Sequence, residues 1–149
     1  MDRINLQKKT KSQIGKIEMY WFENESIGLA KTLFHKFTIP LEPFNSGLDY
    51  VAQPEKTEVV IDWVHLNVKD PTQLNGLNLK TSADIETSIY LGSAHNPCDI
   101  ISLTLTGVTD NIFVIDCKLF VDFEHEGVGQ NEEFVFSTQL QLDLDVKEY

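Results

Sequence analysis

One arginine, Arg3, serves a chain of 149 residues, so the planar fork that grips phosphates and guanine edges is almost missing. The deficit extends to positive charge as a whole. Twelve Lys and Arg face 23 Asp and Glu, giving a net charge of −11. Arg3, Lys8, Lys9, Lys11 and Lys16 all lie in the first sixteen positions, against one acid, Asp2. Residues 17–149 therefore carry seven basic and 22 acidic groups, a net of −15. Such a surface repels phosphate backbones, and nucleic acid is not an expected partner.

Cysteine is nearly as scarce. Cys98 and Cys117 stand nineteen positions apart, which matches no zinc-ligand spacing, and two free thiols are the expectation. No apolar run approaches the ~20 residues of a membrane-spanning helix, so no membrane partner is expected. The first residues lack the apolar core of a secretory signal, which points to the cytoplasm.

Catalytic signatures are missing too. There is no Gly-x-Ser-x-Gly elbow, no phosphate-cradling glycine loop and no His-Glu-x-x-His. His125-Glu126-Gly127 starts like the last and stops, while Gly127-Val128-Gly129 reads as turn glycines. His35, His65, His95 and His125 are thirty apart, but their neighbours differ and no repeat or metal spacing follows. A non-enzymatic protein without cofactor or metal is expected. Asp62 and His65 are the pair that an enzyme with dispersed acid–base groups would use.

What the chain does have is alternation. Phe113, Ile115, Cys117, Leu119, Val121 and Phe123 share one face of a segment whose other face carries Asp116, Lys118, Asp122 and Glu124. A second segment sets Phe134, Phe136, Leu140, Leu142 and Leu144 against Glu133, Ser137, Gln139, Gln141, Asp143 and Asp145. Period-two patterning of this length predicts two strands with one buried and one wet face. Residues 125–132 would join them as an antiparallel hairpin, with Glu124 opposite Glu133.

The remainder reads as shorter strands between turns. Residues 1–13 look like a flexible basic arm ahead of a single β-rich domain over 14–149. Ile17 to Phe22 is aromatic and strand-like. Residues 27–39 fit a strand, with Leu29, Leu33, Phe37 and Ile39 on one face. Ala30, Leu33, Phe34 and Phe37 also fit one short helix at 27–37. Residues 40–57, with three prolines, suggest a binding loop or flap. Thr57 to Val68 is a central strand with Val59, Ile61 and Trp63 on one face, and Asp62 in its middle needs a partner if buried. About seven strands without strand–helix alternation predict a mainly β, antiparallel sandwich.

For function, the outer face of the long hairpin draws interest. Asp116, Phe120, Asp122, Glu124, Val135 and Asp143 would place apolar groups among carboxylates, the make-up of a protein-binding patch. The expected partner is another protein, basic in charge, and an inhibitor or immunity-type role that neutralises a basic toxin or enzyme suits that composition. The alternative is a carbohydrate-binding or structural β module. Trp21, Trp63, Tyr20, Tyr50 and Tyr90 would then supply stacking faces, although strand aromatics more often fill cores.

Overall fold

The two alternating segments form the longest antiparallel ladder in the molecule after its neighbour, and their apolar face is buried as the pattern requires. The structure is a computed structural model that describes residues 2–149. Its strands are β1 (Gly15–Asn24), β2 (Leu29–Pro40), β3 (Glu58–Val64), β4 (Asn78–Leu79), β5 (Glu86–Leu91), β6 (Ala94–Thr109), β7 (Ile112–Val121), β8 (Glu132–Leu142) and β9 (Lys147–Glu148). One short helix, α1 (Leu6–Lys9), precedes them. No helix among the described residues is long and apolar enough to cross a membrane.

The register of β7 and β8 differs from the one expected. Phe120, not Glu124, lies opposite Glu133, and the ladder runs from Ile112↔Gln141 to Val121↔Glu132. Residues 122–131 form a longer connection than the sequence suggested. Phe123 continues the apolar alternation, yet it belongs to this loop. Its side chain is fully buried, and its carbonyl accepts the Val128 amide at 3.1 Å. Because the slip is an even number of residues, every side chain keeps its face.

The mainly β expectation holds, but there are not two packed sheets. Seven strands close into one barrel in the order β1-β2-β3-β5-β6-β7-β8 and back to β1, while β4 adds to β6 and β9 to β1. All pairings are antiparallel except those of β1 with β8 and with β9. Inward residues of every barrel strand, among them Ile17, Phe37, Ile61, Ile89, Leu103, Ile115 and Leu140, merge into one apolar core. A barrel of this size has an interior just wide enough for side chains to fill.

The helix expected over 27–37 does not form: a 3-10 turn ends at Ile27 and the strand β2 begins at Leu29. Gly28, in the left-handed region at φ +72°, caps that turn and returns the chain as β2. β2 is then hydrogen-bonded to β1 on one side and β3 on the other. Two strand partners and burial of Phe37 and Ile39 override the helical spacing.

The N-terminal segment, read as a flexible arm, lies against the barrel wall. Ile4 and Leu6 are buried in the core. The carboxylate of Glu132 accepts the Asn5 amide at 2.9 Å and the Leu6 amide at 2.6 Å, satisfying the first donors of α1. The Gln7 side chain donates to the Val135 carbonyl and accepts its amide, completing the strand edge like a ladder partner. Residues 40–57 are likewise held, with Leu41 and Phe44 buried and Phe44 bridged to Glu55.

Closure itself is narrow. Only Gly15↔Leu140, Lys16↔Gln141 and Ile17↔Leu142 join β1 to β8. A Cβ on Gly15 would stand 2.3 Å from the Thr38 carbonyl oxygen and 2.8 Å from Leu140 Cδ2. Gly15→Ala is therefore expected to lower stability by about 1–3 kcal/mol, as overpacking does, measurable as a fall in denaturant midpoint. Cys98 and Cys117 are both free and buried. Burial pushes the Cys117 thiol up to about 12, and burial first, then neighbouring Cys117 and acids, raises Cys98. Neither thiol is expected to react with a disulfide reagent at pH 8 in the native protein, and both should react after unfolding.

Candidate functional site

The candidate site is built by an interruption of β3. His35 pairs with Val64 and Phe37 with Ile61, so Asp62 and Trp63 together stand opposite the single residue Lys36. This is a β-bulge, a device that re-aims side chains. Strict alternation would put Trp63 inward with Val59 and Ile61. Instead the bulge turns Val64 inward, fully buried, and releases Trp63 to the outer surface. Trp63 adopts φ +59°, in the left-handed region that bulky residues rarely occupy. Such strain persists only where surrounding contacts impose it.

Those contacts are aromatic. Trp63 meets Phe22 at 5.1 Å between ring centroids, Phe34 at 5.3 Å and Tyr20 at 5.7 Å, each edge to face. Tyr20 stacks on Phe34 at 5.7 Å and meets Tyr149 at 5.4 Å. The last residue is fixed in turn, because the Tyr149 amide donates to the Trp21 carbonyl. Asp62 finds its partner here: its Oδ1 accepts the Tyr20 hydroxyl at 2.7 Å and the Trp63 amide at 2.7 Å.

Two grooves flank this ridge on the barrel exterior, and Phe22 and Trp63 line both. The smaller, about 420 Å³, adds Glu18, Tyr20, Lys36, Asp62, Lys147 and Tyr149. The larger, about 630 Å³, adds Asn24, Ile27, Leu29, Thr32, Phe34, His65 and Asp84. Both volumes fall in the range of ligand-binding clefts. In the smaller groove Lys147 bridges Glu18 at 3.1 Å and Asp143 at 3.1 Å, and Lys16 approaches Glu18 at 3.4 Å. Burial alone would raise the Glu18 carboxyl, but the Lys147 hydrogen bond and the two ammonium charges outweigh it and hold Glu18 below the usual carboxylate range. Asp62 and His65 line different grooves. Among the described residues no three metal-ligating side chains gather.

The residues expected to form a patch on the hairpin are divided among three places. Asp116, Phe120 and Val135 share the outer face of β7 and β8, with Val135 51% exposed. A Lys118–Glu133 ion pair of 3.2 Å crosses that face. Asp122 and Glu124 close the following loop: Asp122 accepts the His125 amide, while Glu124 and Asn131 each accept the other's backbone amide. Asp143 is ten residues from Glu133 along the chain, roughly 33 Å at strand rise. It accepts the Asp145 amide and pairs with Lys147 at the rim of the smaller groove.

Of the aromatics weighed for a stacking surface, Tyr20 and Trp63 belong to the ridge, whereas Tyr50 and Tyr90 stand exposed elsewhere. Nothing in the sequence pattern marks Phe22, Phe34, Tyr149 or Asp84 as site residues. The available signal was Asp62, a charge inside an apolar strand beside a tryptophan. Comparison with known families, curated proteins and solved structures finds no match.

Burial first, and then the hydrogen bond to anionic Asp62, raises the Tyr20 phenol well above its ordinary value near 10. A raised folded-state value stabilises the fold below the ordinary one and withdraws that stabilisation as pH climbs past it. Tyr20→Phe is expected to cost about 1.5 kcal/mol near neutrality, the worth of one hydrogen bond to a charged acceptor. In urea titrations the gap between wild type and Tyr20→Phe should narrow as pH rises above about 10.

Proposed function

We propose that this protein is a non-enzymatic binding module that engages a basic protein through the aromatic ridge and grooves on the outside of β1, β2 and β3. The observation that carries the reading is the Asp62–Trp63 bulge. It places a tryptophan outside the barrel in a strained backbone conformation, amid Tyr20, Phe22 and Phe34. Tyr20 and Phe34 are buried beneath the ridge, while Phe22 and Trp63 are half-buried and Tyr149 is exposed. Tryptophan and tyrosine are among the side chains that dominate binding energy at protein interfaces. Ile27, 72% exposed, and Tyr149, 74% exposed, extend the apolar area at its edges.

The net charge of −11 supports a basic partner, because opposite fields speed encounter and disfavour acidic competitors. An inhibitor that covers a basic enzyme or toxin is one biological form of this activity. The ridge is better suited than the hairpin's outer face, where the expected carboxylates are spread along the barrel and several already serve loop closure or ion pairs.

Selection from a displayed library of random peptides tests the proposal directly. Wild-type protein is expected to enrich Lys- and Arg-rich sequences. Trp63→Ala should weaken the selected peptides by about thirtyfold, as for an interface hot spot, and Tyr149→Ala, at an exposed position, should weaken them less. Val135→Lys on the hairpin face should leave binding intact. Unchanged affinity in both ridge variants, or loss confined to Val135→Lys, would defeat the proposal. Ridge-dependent capture on a glycan array without peptide binding would instead favour a carbohydrate module.

A further inference from the structure

We infer that the larger groove receives an arginine or lysine side chain of the partner, an assignment that rests on the binding surface proposed above. Its walls are Phe22, Phe34 and Trp63, with Trp63 at 70° to Phe22 and 84° to Phe34. Aromatic faces attract cations held within about 6 Å of the ring centre. Ile27 and Leu29 offer an apolar bed for the methylene stem that both cationic side chains carry. Asp84 contributes a carboxylate, and no Lys or Arg lines this groove. The smaller groove is different, since Lys36 and Lys147 both line it and would oppose a cation there.

The fold already contains this arrangement once. Lys31 Nζ lies 5.6 Å from the centre of the Trp21 ring and 2.6 Å from Glu148 Oε1, an ammonium between an aromatic face and a carboxylate. The larger groove is lined by the same two components, aromatic rings and a carboxylate, with no ammonium among its lining residues. Charge complementarity therefore selects the occupant: a cationic side chain on a protein attracted to a −11 surface. Arginine is the better fit, because its planar guanidinium can stack on a ring while donating to a carboxylate.

The probe is n-butylguanidinium, with n-butylurea as its neutral counterpart, titrated into the full chain while the Trp63 indole N–H is followed by NMR. The guanidinium is expected to shift that resonance saturably and at least about fivefold more tightly than the urea. Asp84→Asn, a change at an exposed turn position, should weaken the guanidinium about two- to fivefold, the range of an exposed ion pair. Lys118→Met, on the outer face of the hairpin, should not weaken it. Equal response to both compounds, or indifference to Asp84→Asn, would overturn the inference. If selected peptides depend on Trp63 while the guanidinium and Asp84→Asn have no effect, the groove assignment falls and the binding surface stands. If no peptide depends on Trp63, both fall.

Discussion

Everything in this barrel depends on a seam three residue pairs long. Curling seven strands leaves β1 and β8 to meet in parallel, and they do so only from Gly15↔Leu140 to Ile17↔Leu142. A side chain at Gly15 would collide with the Thr38 carbonyl of β2 and with the Leu140 side chain of β8, so the bare α-carbon is what lets β1 fit between its two neighbours. Below the seam, the edge of β8 is completed by the segment ahead of β1: Gln7 binds the Val135 backbone, Ser12 the Ser137 carbonyl, and Thr138 the Gln13 carbonyl. Above it, β9 takes over, pairing Lys147 and Glu148 with Tyr20 and Trp21. An unpaired edge this long invites association with other chains. Here it is covered piece by piece, and Glu132 anchors the covering segment through the first amides of α1.

The same closure builds the ridge. β1 supplies Tyr20 and Phe22, its neighbour β2 supplies Phe34, and β9 leads directly to Tyr149. The bulge in β3 then brings Trp63 and Asp62 onto the shared outer face. Holding a tryptophan in the left-handed region costs about 1–3 kcal/mol. Three edge-to-face ring contacts at about 0.5–1.5 kcal/mol each, with the Asp62 hydrogen bonds, are of the right size to offset it. The core gains as well, because the extra residue lets Val64 follow Ile61 inside.

Which parts of this were legible follows from the range of the interactions that decide them. The buried faces of β7 and β8 are a local property of period two, and the even register slip left them untouched. The slip arose because Phe123, a loop anchor, continues the alternation of a strand. Closure was illegible, since a parallel contact between Gly15 and Leu140 leaves no local pattern to distinguish a barrel from a sandwich. Ile4 and Leu6 were hidden among polar and basic neighbours, and their burial depends on Glu132, more than a hundred residues away. Period two groups Trp63 with Val59 and Ile61, because the bulge carries no glycine to mark it. Asp62 gave the one warning.

The seam also bears on the order in which the molecule can be completed during synthesis. β1 and β2 can pair as soon as both have left the ribosome, β3 can then add to β2, and each later barrel strand can add to the one before it. The free side of β1 has to wait for Leu140, 125 positions later. Translation at roughly 5–20 residues per second makes that interval on the order of ten seconds. Throughout it the nascent chain keeps the free side of β1, the aromatic strand itself, open to whatever binds emerging polypeptides, in addition to the edge at which strands are being added.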